Sequence, residues 1–182
     1  MNKKYYTWND LESAAEHIAL AMYKELWRPD YIVGITRGGL PLATVLSHKI
    51  SVPVVALGVS LRDSKIGCET NCWLSEWAFG YNDESETGRT GCRWDPTLRK
   101  NILVVDDIND TGATFNWIKK DWQSTCLPKE TQAWETVWHR NVRFAVMTNN
   151  LASDAITDYV WDEVNKVEED CWLCYPWEKQ KG

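Results

Sequence analysis

Hydrophobic residues recur along the chain with two different periods, and the longer period predicts helices. From residue 9 to residue 28 apolar side chains return every three or four positions, which is the spacing of one helix face. Asn9, followed three residues later by Glu12, predicts a capping box at the start of this helix, and Pro29 predicts its end. Further helices are predicted at about 40–49 and 114–122.

Short apolar runs rich in β-branched residues predict buried strands. These runs cover residues 31–36, 52–59, 101–105, 142–148 and 158–161. Because the predicted strands alternate with helices, we expect an α/β fold with a mostly parallel sheet of about five strands and helices on both faces. A length of 182 residues fits a single domain spanning 1–182.

Two segments interrupt this regular pattern. Within residues 60–100 the stretch 80–91 is polar and glycine-rich. Connections this long are usually lids or disordered, so we expect a flexible flap that forms two strands over about 60–104. Residues 123–140 form a second insertion. The flap contains three tryptophans, which can pack in the core, cap a ligand or face a partner chain: Trp73, Trp77 and Trp94.

Charge and composition exclude some classes of function. The net charge is −6 and the basic residues are scattered, so binding to nucleic acid is not expected, although a local site can still attract an anion. No apolar segment approaches the roughly 20 residues of a membrane span, and no signal-peptide pattern is evident. We therefore expect a cytoplasmic protein without a membrane partner. The chain has six cysteines, and its two closely spaced pairs, Cys68 with Cys72 and Cys171 with Cys174, lie about a hundred residues apart, which favours free thiols over a zinc site.

The strongest chemical signal follows the third main strand. Asp106 and Asp107 end its apolar run, at the edge where open α/β sheets bind ligands. A turn rich in small and hydroxyl residues then enters a helix, whose N-terminus offers N–H donors and a partial positive charge. The turn consists of Asp110, Thr111, Gly112, Ala113 and Thr114. We expect it to bind a phosphate, with the two acids holding sugar hydroxyls or hydrated Mg²⁺. An ordinary helix cap is the alternative.

The run from Val104 to Thr114 resembles the phosphoribosyl-pyrophosphate motif of type I phosphoribosyltransferases. A second match looks like the pyrophosphate loop of that family, and it consists of Thr36, Arg37, Gly38 and Gly39. The resemblance implies a cis peptide between Thr36 and Arg37, and pyrophosphate binding by this loop. Ser60 and Arg62, at the base of the flap, are expected to contact pyrophosphate too, although the Ser-Tyr pair common in the family is missing there.

The C-terminal segment 170–178 is similar to the part of bacterial xanthine-guanine phosphoribosyltransferases that closes over the purine. The resemblance implies a small hood, with its elements in residues 149–178. In it Trp172 would stack on the base, the backbone of Leu173 would bind the base edge, and Glu178 would lie near a metal or the exocyclic amine. The alternative is that Trp172 and Trp177 only anchor the C-terminus in the core.

One position departs from the family pattern. The family usually has a lysine after the fourth strand, which donates to the 6-oxo group of the purine. The matching residue here is Asn149, or Asn150 after a shift of one position. Because an amide both donates and accepts, it suits a 6-oxo or a 6-amino group, and the identity of the base stays open.

The resemblance as a whole implies a purine-salvage enzyme that transfers phosphoribosyl from phosphoribosyl pyrophosphate to guanine, hypoxanthine or xanthine. Asp110 is expected to be the general base, and Asp106, Asp107 and Glu178 are expected to hold Mg²⁺, some through water. Family members commonly form homodimers or homotetramers. Three alternatives remain: another base (adenine or a pyrimidine), a non-catalytic regulator that senses phosphoribosyl pyrophosphate, and a structural module. The acidic charge disfavours the regulator, and the intact acids disfavour the module.

Overall fold

Nine strands and five helices are described in the computed structural model, which covers residues 2–59, 61, 68, 72–83, 92–125 and 131–178. In chain order they are β1 Asn2–Tyr5, α1 Trp8–Lys24, β2 Tyr31–Thr36, α2 Leu40–Ile50, β3 Val54–Gly58, α3 Cys72–Phe79, β4 Tyr81–Asp83, β5 Cys92–Trp94, β6 Ile102–Asn109, α4 Ala113–Thr125, α5 Thr131–Trp134, β7 Val142–Asn150, β8 Tyr159–Val164 and β9 Cys171–Cys174. A short 3₁₀ helix spans Pro96–Leu98. None of the described helices is long and apolar enough to cross a membrane.

The central sheet has five parallel strands in the order β3-β2-β6-β7-β8. Its side chains alternate between two cores, because successive residues of a strand point to opposite faces. Val104 and Phe144 face the core formed with α3 and α4, whereas Leu103 and Val105 face the core formed with α1 and α2. The expected mostly parallel sheet with helices on both faces is confirmed.

The first helix begins earlier than the sequence pattern predicts. Its N-cap is Thr7, whose hydroxyl accepts from Asp10 N at 3.2 Å, while the Asp10 carboxylate accepts from Thr7 N at 2.7 Å. The predicted capping box of Asn9 and Glu12 is therefore wrong. The actual box, formed by Thr7 and Asp10, has the same three-residue spacing but lies two residues earlier. The helix also ends at Lys24, before Leu26 adopts a left-handed conformation with φ of 55°, rather than at Pro29.

Two central strands extend further than their apolar runs. Strand β6 continues to Asn109 and β7 to Asn150, because the parallel pairing runs on through Ile108 with Thr148 and through Asn109 with Asn149. The predicted ends at residues 105 and 148 were wrong, since polar side chains do not stop backbone pairing. Asp106 and Asp107 consequently lie inside the strand.

The two predicted insertions contain ordered structure. Within residues 60–100 the expected two-stranded ribbon is present as the antiparallel pair β4 and β5, preceded by helix α3, which the sequence pattern did not predict. Residues 123–140 are not simply a polar insertion, because α4 continues to Thr125 and both Trp134 and Trp138 are buried. Trp73 and Trp77 also pack against the core, so packing is their role here.

A second small sheet joins the two ends of the chain. Strand β1 pairs in parallel with β9, so that Lys3 lies beside Trp172 and Lys4 beside Leu173. This pairing places the C-terminal segment next to the carboxyl edge of the central sheet, where the Tyr175 hydroxyl donates to the Asp107 carbonyl at 3.3 Å. The sheet thereby positions the predicted hood.

Candidate active site

The loop after β2 lies directly against the end of β6. A Cβ added to Gly38 would come within 2.2 Å of Asp107 Oδ2, and one added to Gly39 within 2.3 Å of the Val105 carbonyl oxygen. Only glycine allows so close an approach, to a side chain at Gly38 and to the backbone of β6 at Gly39. The peptide between Thr36 and Arg37 is cis, as the resemblance implied, and Arg37 is exposed. The predicted pyrophosphate loop therefore forms one continuous surface with the acid pair of β6, which is Asp106 and Asp107.

Acidic side chains converge beside this loop. Asp106 is buried, and its Oδ1 accepts from Asp107 N at 2.9 Å. Burial raises the pKa of Asp107, and the charge of nearby Glu178 raises it further. Glu178 itself accepts from Tyr175 N at 3.4 Å. A buried aspartate with further carboxylates nearby provides oxygen donors of the kind that a divalent cation prefers.

The turn between β6 and α4 is held by the loop after β7. Gly112 has φ of 83°, and a Cβ there would lie 2.6 Å from Ala155 N. The Thr111 carbonyl accepts from Asp154 N at 3.3 Å, and the Thr111 hydroxyl lies 3.4 Å from Ala113 N. Helix α4 then begins at Ala113, with Thr114 in its first turn, and a first turn has N–H groups that lack intrahelical acceptors. The predicted phosphate turn therefore opens a helix, as expected.

Asn149 lies at the same edge but within a polar network. Its amide oxygen accepts from Asn109 Nδ2 at 2.9 Å and from the Thr157 hydroxyl at 3.3 Å. Asn109 Nδ2 also donates to the Ala155 carbonyl at 2.8 Å. The network therefore joins the ends of β6 and β7 to the loop that follows β7.

Lys166 is a site residue that the sequence pattern did not reveal. It follows β8, and its ammonium Nζ lies 3.0 Å from Oδ1 of Asp110. Asn150 lies between them: its Nδ2 donates to the Asp110 carbonyl at 2.9 Å, and its Oδ1 accepts from Lys166 N at 3.1 Å. No periodicity or motif marks a lysine in a loop, so the fold alone brings it to the site.

The C-terminal aromatics divide between two roles. Trp172 on β9 is 54% exposed, whereas the neighbouring Leu173 is buried against the core. Trp177 stacks on Tyr175 with ring centroids 5.0 Å apart, and Tyr175 stacks on Tyr6 at 5.1 Å. The core-anchor alternative thus describes Trp177, while the exposed ring of Trp172 is accessible to a ligand.

Two predicted contacts cannot be placed. Ser60 and Arg62 lie outside the described residues, as does most of the segment that joins β3 to α3. Within the described residues no group of three or more metal-ligand side chains is preassembled, and Cys171 and Cys174 carry free thiols.

Comparisons with known proteins bear on the fold and on the family resemblance. The chain is 27% identical to hypoxanthine-guanine phosphoribosyltransferase of Schizosaccharomyces pombe, over 97% of this chain and 89% of the relative. It is 21% identical to xanthine phosphoribosyltransferase 1 of Saccharomyces cerevisiae, over 98% and 90% of the two chains. The crystal structure of a purine phosphoribosyltransferase from Pyrococcus horikoshii matches all of this chain and 98% of its own, with a TM-score of 0.64 and 22% identity. No protein-family model matches. The expected fold and the expected resemblance are confirmed.

Proposed function

We propose that this chain, a type I phosphoribosyltransferase in fold and in its resemblance to curated relatives, transfers phosphoribosyl from phosphoribosyl pyrophosphate to a purine base and releases pyrophosphate. The observation that carries the proposal is the contact of Gly38 with Asp107, which joins the loop after β2 to the acid pair of β6. The turn from Asp110 to Thr114 opens α4 at the same edge. A phosphate, a sugar and a second phosphate group can thus be bound side by side.

Each part of the donor substrate has a matching set of residues. The 5′-phosphate would bind the N–H groups and hydroxyls of the turn, namely Thr111, Gly112, Ala113 and Thr114, beside Asp110. The ribose hydroxyls would bind Asp106 and Asp107. The backbone of Gly38 and Gly39, with Thr36 and the guanidinium of Arg37, would bind pyrophosphate. Ser60 and Arg62 are proposed to complete that subsite.

The acidic residues fit Mg²⁺. Asp106, Asp107 and Glu178 supply the hard oxygen donors that this ion prefers, some of them through water. Burial raises the pKa of Asp107 and the charge of Glu178 adds to this, and a bound cation would offset the repulsion between the two carboxylates. Bound Mg²⁺ would neutralise charge on the pyrophosphate as it leaves.

The chemistry is a substitution at the anomeric carbon. A ring nitrogen of the purine forms a bond to that carbon while the bond to pyrophosphate breaks, and the protein contributes by aligning the two reactants. Asp110, which directly follows β6 beside the phosphate turn, would accept the proton that the purine loses. Its negative charge also stabilises the cationic character of the ribose in the transition state.

The purine would lie against the hood. Trp172 offers an exposed ring face for stacking, and the backbone of Leu173 offers hydrogen-bonding groups for the base edge, with Glu178 nearby. Asn149 stays in the proposed purine site, where its amide oxygen is bonded to Asn109. Relatives named for hypoxanthine, guanine and xanthine support a purine over a pyrimidine acceptor.

One experiment tests the proposal against its alternatives. The protein is incubated with phosphoribosyl pyrophosphate, Mg²⁺ and, in turn, guanine, hypoxanthine, xanthine, adenine, orotate and uracil, and pyrophosphate release is measured. We expect pyrophosphate release with a 6-oxopurine. EDTA should abolish this release and added Mg²⁺ should restore it. Binding of phosphoribosyl pyrophosphate in calorimetry without release on any base would instead favour the regulator, and absence of both would refute the proposal.

Assembly and location are proposed alongside the activity. A homodimer or homotetramer is expected, and sedimentation velocity at micromolar concentration would distinguish these states from a monomer. A cytoplasmic location suits the free thiols of Cys171 and Cys174, because a reducing compartment keeps thiols unpaired.

A further inference from the structure

Lys166 and Asp110 form an ion pair at the proposed base site. Nζ lies 3.0 Å from Oδ1, and the two side chains are 27% and 24% exposed. Such a pair is partly shielded from water but still accessible to a ligand. The ammonium belongs to the loop after β8, whereas Asp110 follows β6, so two separate elements meet here.

A single buried side chain, that of Asn150, connects the backbones of Asp110 and Lys166. Asn150, which is 6% exposed, donates from Nδ2 to the Asp110 carbonyl at 2.9 Å and accepts at Oδ1 from Lys166 N at 3.1 Å. The same Oδ1 accepts from Ala152 N at 3.3 Å. Because an amide can serve donors and acceptors at once, Asn150 orders three backbone segments around the ammonium. The backbones of Asp110 and Lys166 are therefore tied together through Asn150, and the Lys166 ammonium is bonded to the Asp110 carboxylate.

Asn149 does not offer its oxygen to a base in the same way. That oxygen accepts from Asn109 Nδ2 at 2.9 Å and from the Thr157 hydroxyl at 3.3 Å. An acceptor already bonded to two donors inside the protein is a poor partner for an incoming 6-amino group. The amide oxygen of Asn149 therefore does not provide an acceptor for a 6-amino group, and a second donor at the same edge would favour a 6-oxo group.

Purine chemistry connects Asp110 to the 6-position. N7 and the substituent on C6 project from the same edge of the ring. A carboxylate that accepts a proton from N7 therefore has the 6-substituent beside it. An ammonium bonded to that carboxylate lies next to the same substituent. Lysine donates and cannot accept, so it favours a carbonyl oxygen and disfavours an amino group.

We infer that Lys166 is the residue that selects 6-oxopurines, supplied by the loop after β8 in place of a lysine at the end of β7. The inference rests on the proposed function and narrows its substrate class. Lys166 would donate to O6 of the base while remaining bonded to Asp110. Asn150 would act as a positioning residue, since it touches Lys166 and Asp110 and not the base.

The test compares bases that differ only at C6. Values of kcat/KM are measured for hypoxanthine, for purine without a 6-substituent, and for adenine, in the wild type, Lys166→Met and Asp110→Asn. Loss of a hydrogen bond from a charged donor should lower kcat/KM for hypoxanthine by about tenfold to a hundredfold in Lys166→Met. The value for unsubstituted purine should change by less than about threefold, and Lys166→Arg should recover part of the loss. Asp110→Asn should lower both values alike.

Controls separate this inference from the proposed function and from misfolding. Lys49→Met removes an ion pair with Glu16 on α1, outside the site, and should leave all three bases unaffected. The contrary result is that Lys166→Met and Lys166→Arg melt like the wild type and yet lose kcat/KM equally on hypoxanthine and on unsubstituted purine. That result would overturn 6-oxo recognition by Lys166 and leave the enzyme class intact. A wild type inactive with every base would refute the proposed function itself.

Discussion

Gly38 lies so close to Asp107 that a Cβ on its backbone would come within 2.2 Å of the carboxylate oxygen Oδ2. The atoms it would meet belong to a side chain, so the protein can relieve the contact by turning Asp107 away. The fold survives such a change, whereas the alignment of the acid pair with the loop after β2 does not. A substitution at Gly38 should thus disturb the site while the fold stays intact.

Gly38→Ala is therefore expected to lower kcat/KM by about a hundredfold, because displacing a substrate-positioning group by about 1 Å has an effect of that order. Its melting temperature should stay close to that of the wild type. Steady-state kinetics of pyrophosphate release and thermal unfolding, run on the same preparation, check both halves of the prediction.

Gly39→Ala is the matched control. A Cβ there would lie 2.3 Å from the Val105 carbonyl oxygen, which belongs to the rigid backbone of β6 and cannot turn away. We expect a loss of unfolding free energy of about 1–3 kcal/mol, typical of overpacking. A fully active Gly38→Ala enzyme would contradict the proposed role of this contact.

Gly112→Ala should damage the phosphate turn. The residue has φ of 83°, a region that costs an L-residue about 1–2 kcal/mol, and its new Cβ would lie 2.6 Å from Ala155 N. The turn must shift, so KM for phosphoribosyl pyrophosphate is expected to rise at least about tenfold and the urea midpoint to fall. If KM for phosphoribosyl pyrophosphate were unchanged while kcat/KM for the purine base fell, the phosphate would bind elsewhere.

Local patterns predicted the central sheet because each strand carries its own apolar run. They failed where pairing depends on distant partners: β1 pairs with β9 across almost the whole chain, and β6 continues through Asp106 because β7 lies beside it. Trp134 and Trp138 were assigned to a polar insertion, since their burial follows from the tertiary fold and not from their neighbours in sequence.

The candidate site shows the same division. The acids of β6, the turn that opens α4 and the glycine loop are contiguous motifs, so their proposed chemistry could be predicted without a structure. Lys166 reaches Asp110 from a loop that has no motif, and the amide oxygen of Asn149 is used inside the protein. Such contacts depend on where separate loops meet at the sheet edge, and no local pattern encodes that.

Trp172→Ala should weaken base binding with little effect on stability. The side chain is 54% exposed, so its loss removes little buried area, whereas stacking of one base on an aromatic ring contributes about 1–3 kcal/mol. KM for the purine should therefore rise about fivefold to 150-fold while KM for phosphoribosyl pyrophosphate stays the same. Tyr23→Ala, at a 77% exposed position on α1, is the control and should change neither constant. An unchanged KM for the purine in Trp172→Ala would remove the ring from the base site.

Asp162 makes the attachment of the N-terminal strand sensitive to acid. Its carboxylate accepts from the Tyr6 hydroxyl at 2.6 Å and pairs with Lys4, so it joins β1 to β8. Burial works to raise the pKa of Asp162, but the hydrogen bonds from Lys4 and Tyr6 outweigh it and hold the pKa below the ordinary 3.8. A carboxyl with a lowered pKa stabilises the fold above its unfolded pKa, and that stabilisation is lost as pH falls through the folded value.

Asp162→Asn should therefore melt below the wild type at pH 7, and the difference should shrink as the pH is lowered from about 4 toward 2. Thermal unfolding of both proteins across pH 2–7 provides the measurement. Glu163→Gln, at the exposed neighbouring position on β8, is the matched control and should follow the wild-type curve more closely. A difference that stays constant down to pH 2 would mean that Asp162 acts through packing alone, because the loss of its charge would then have no effect on the stability of the fold.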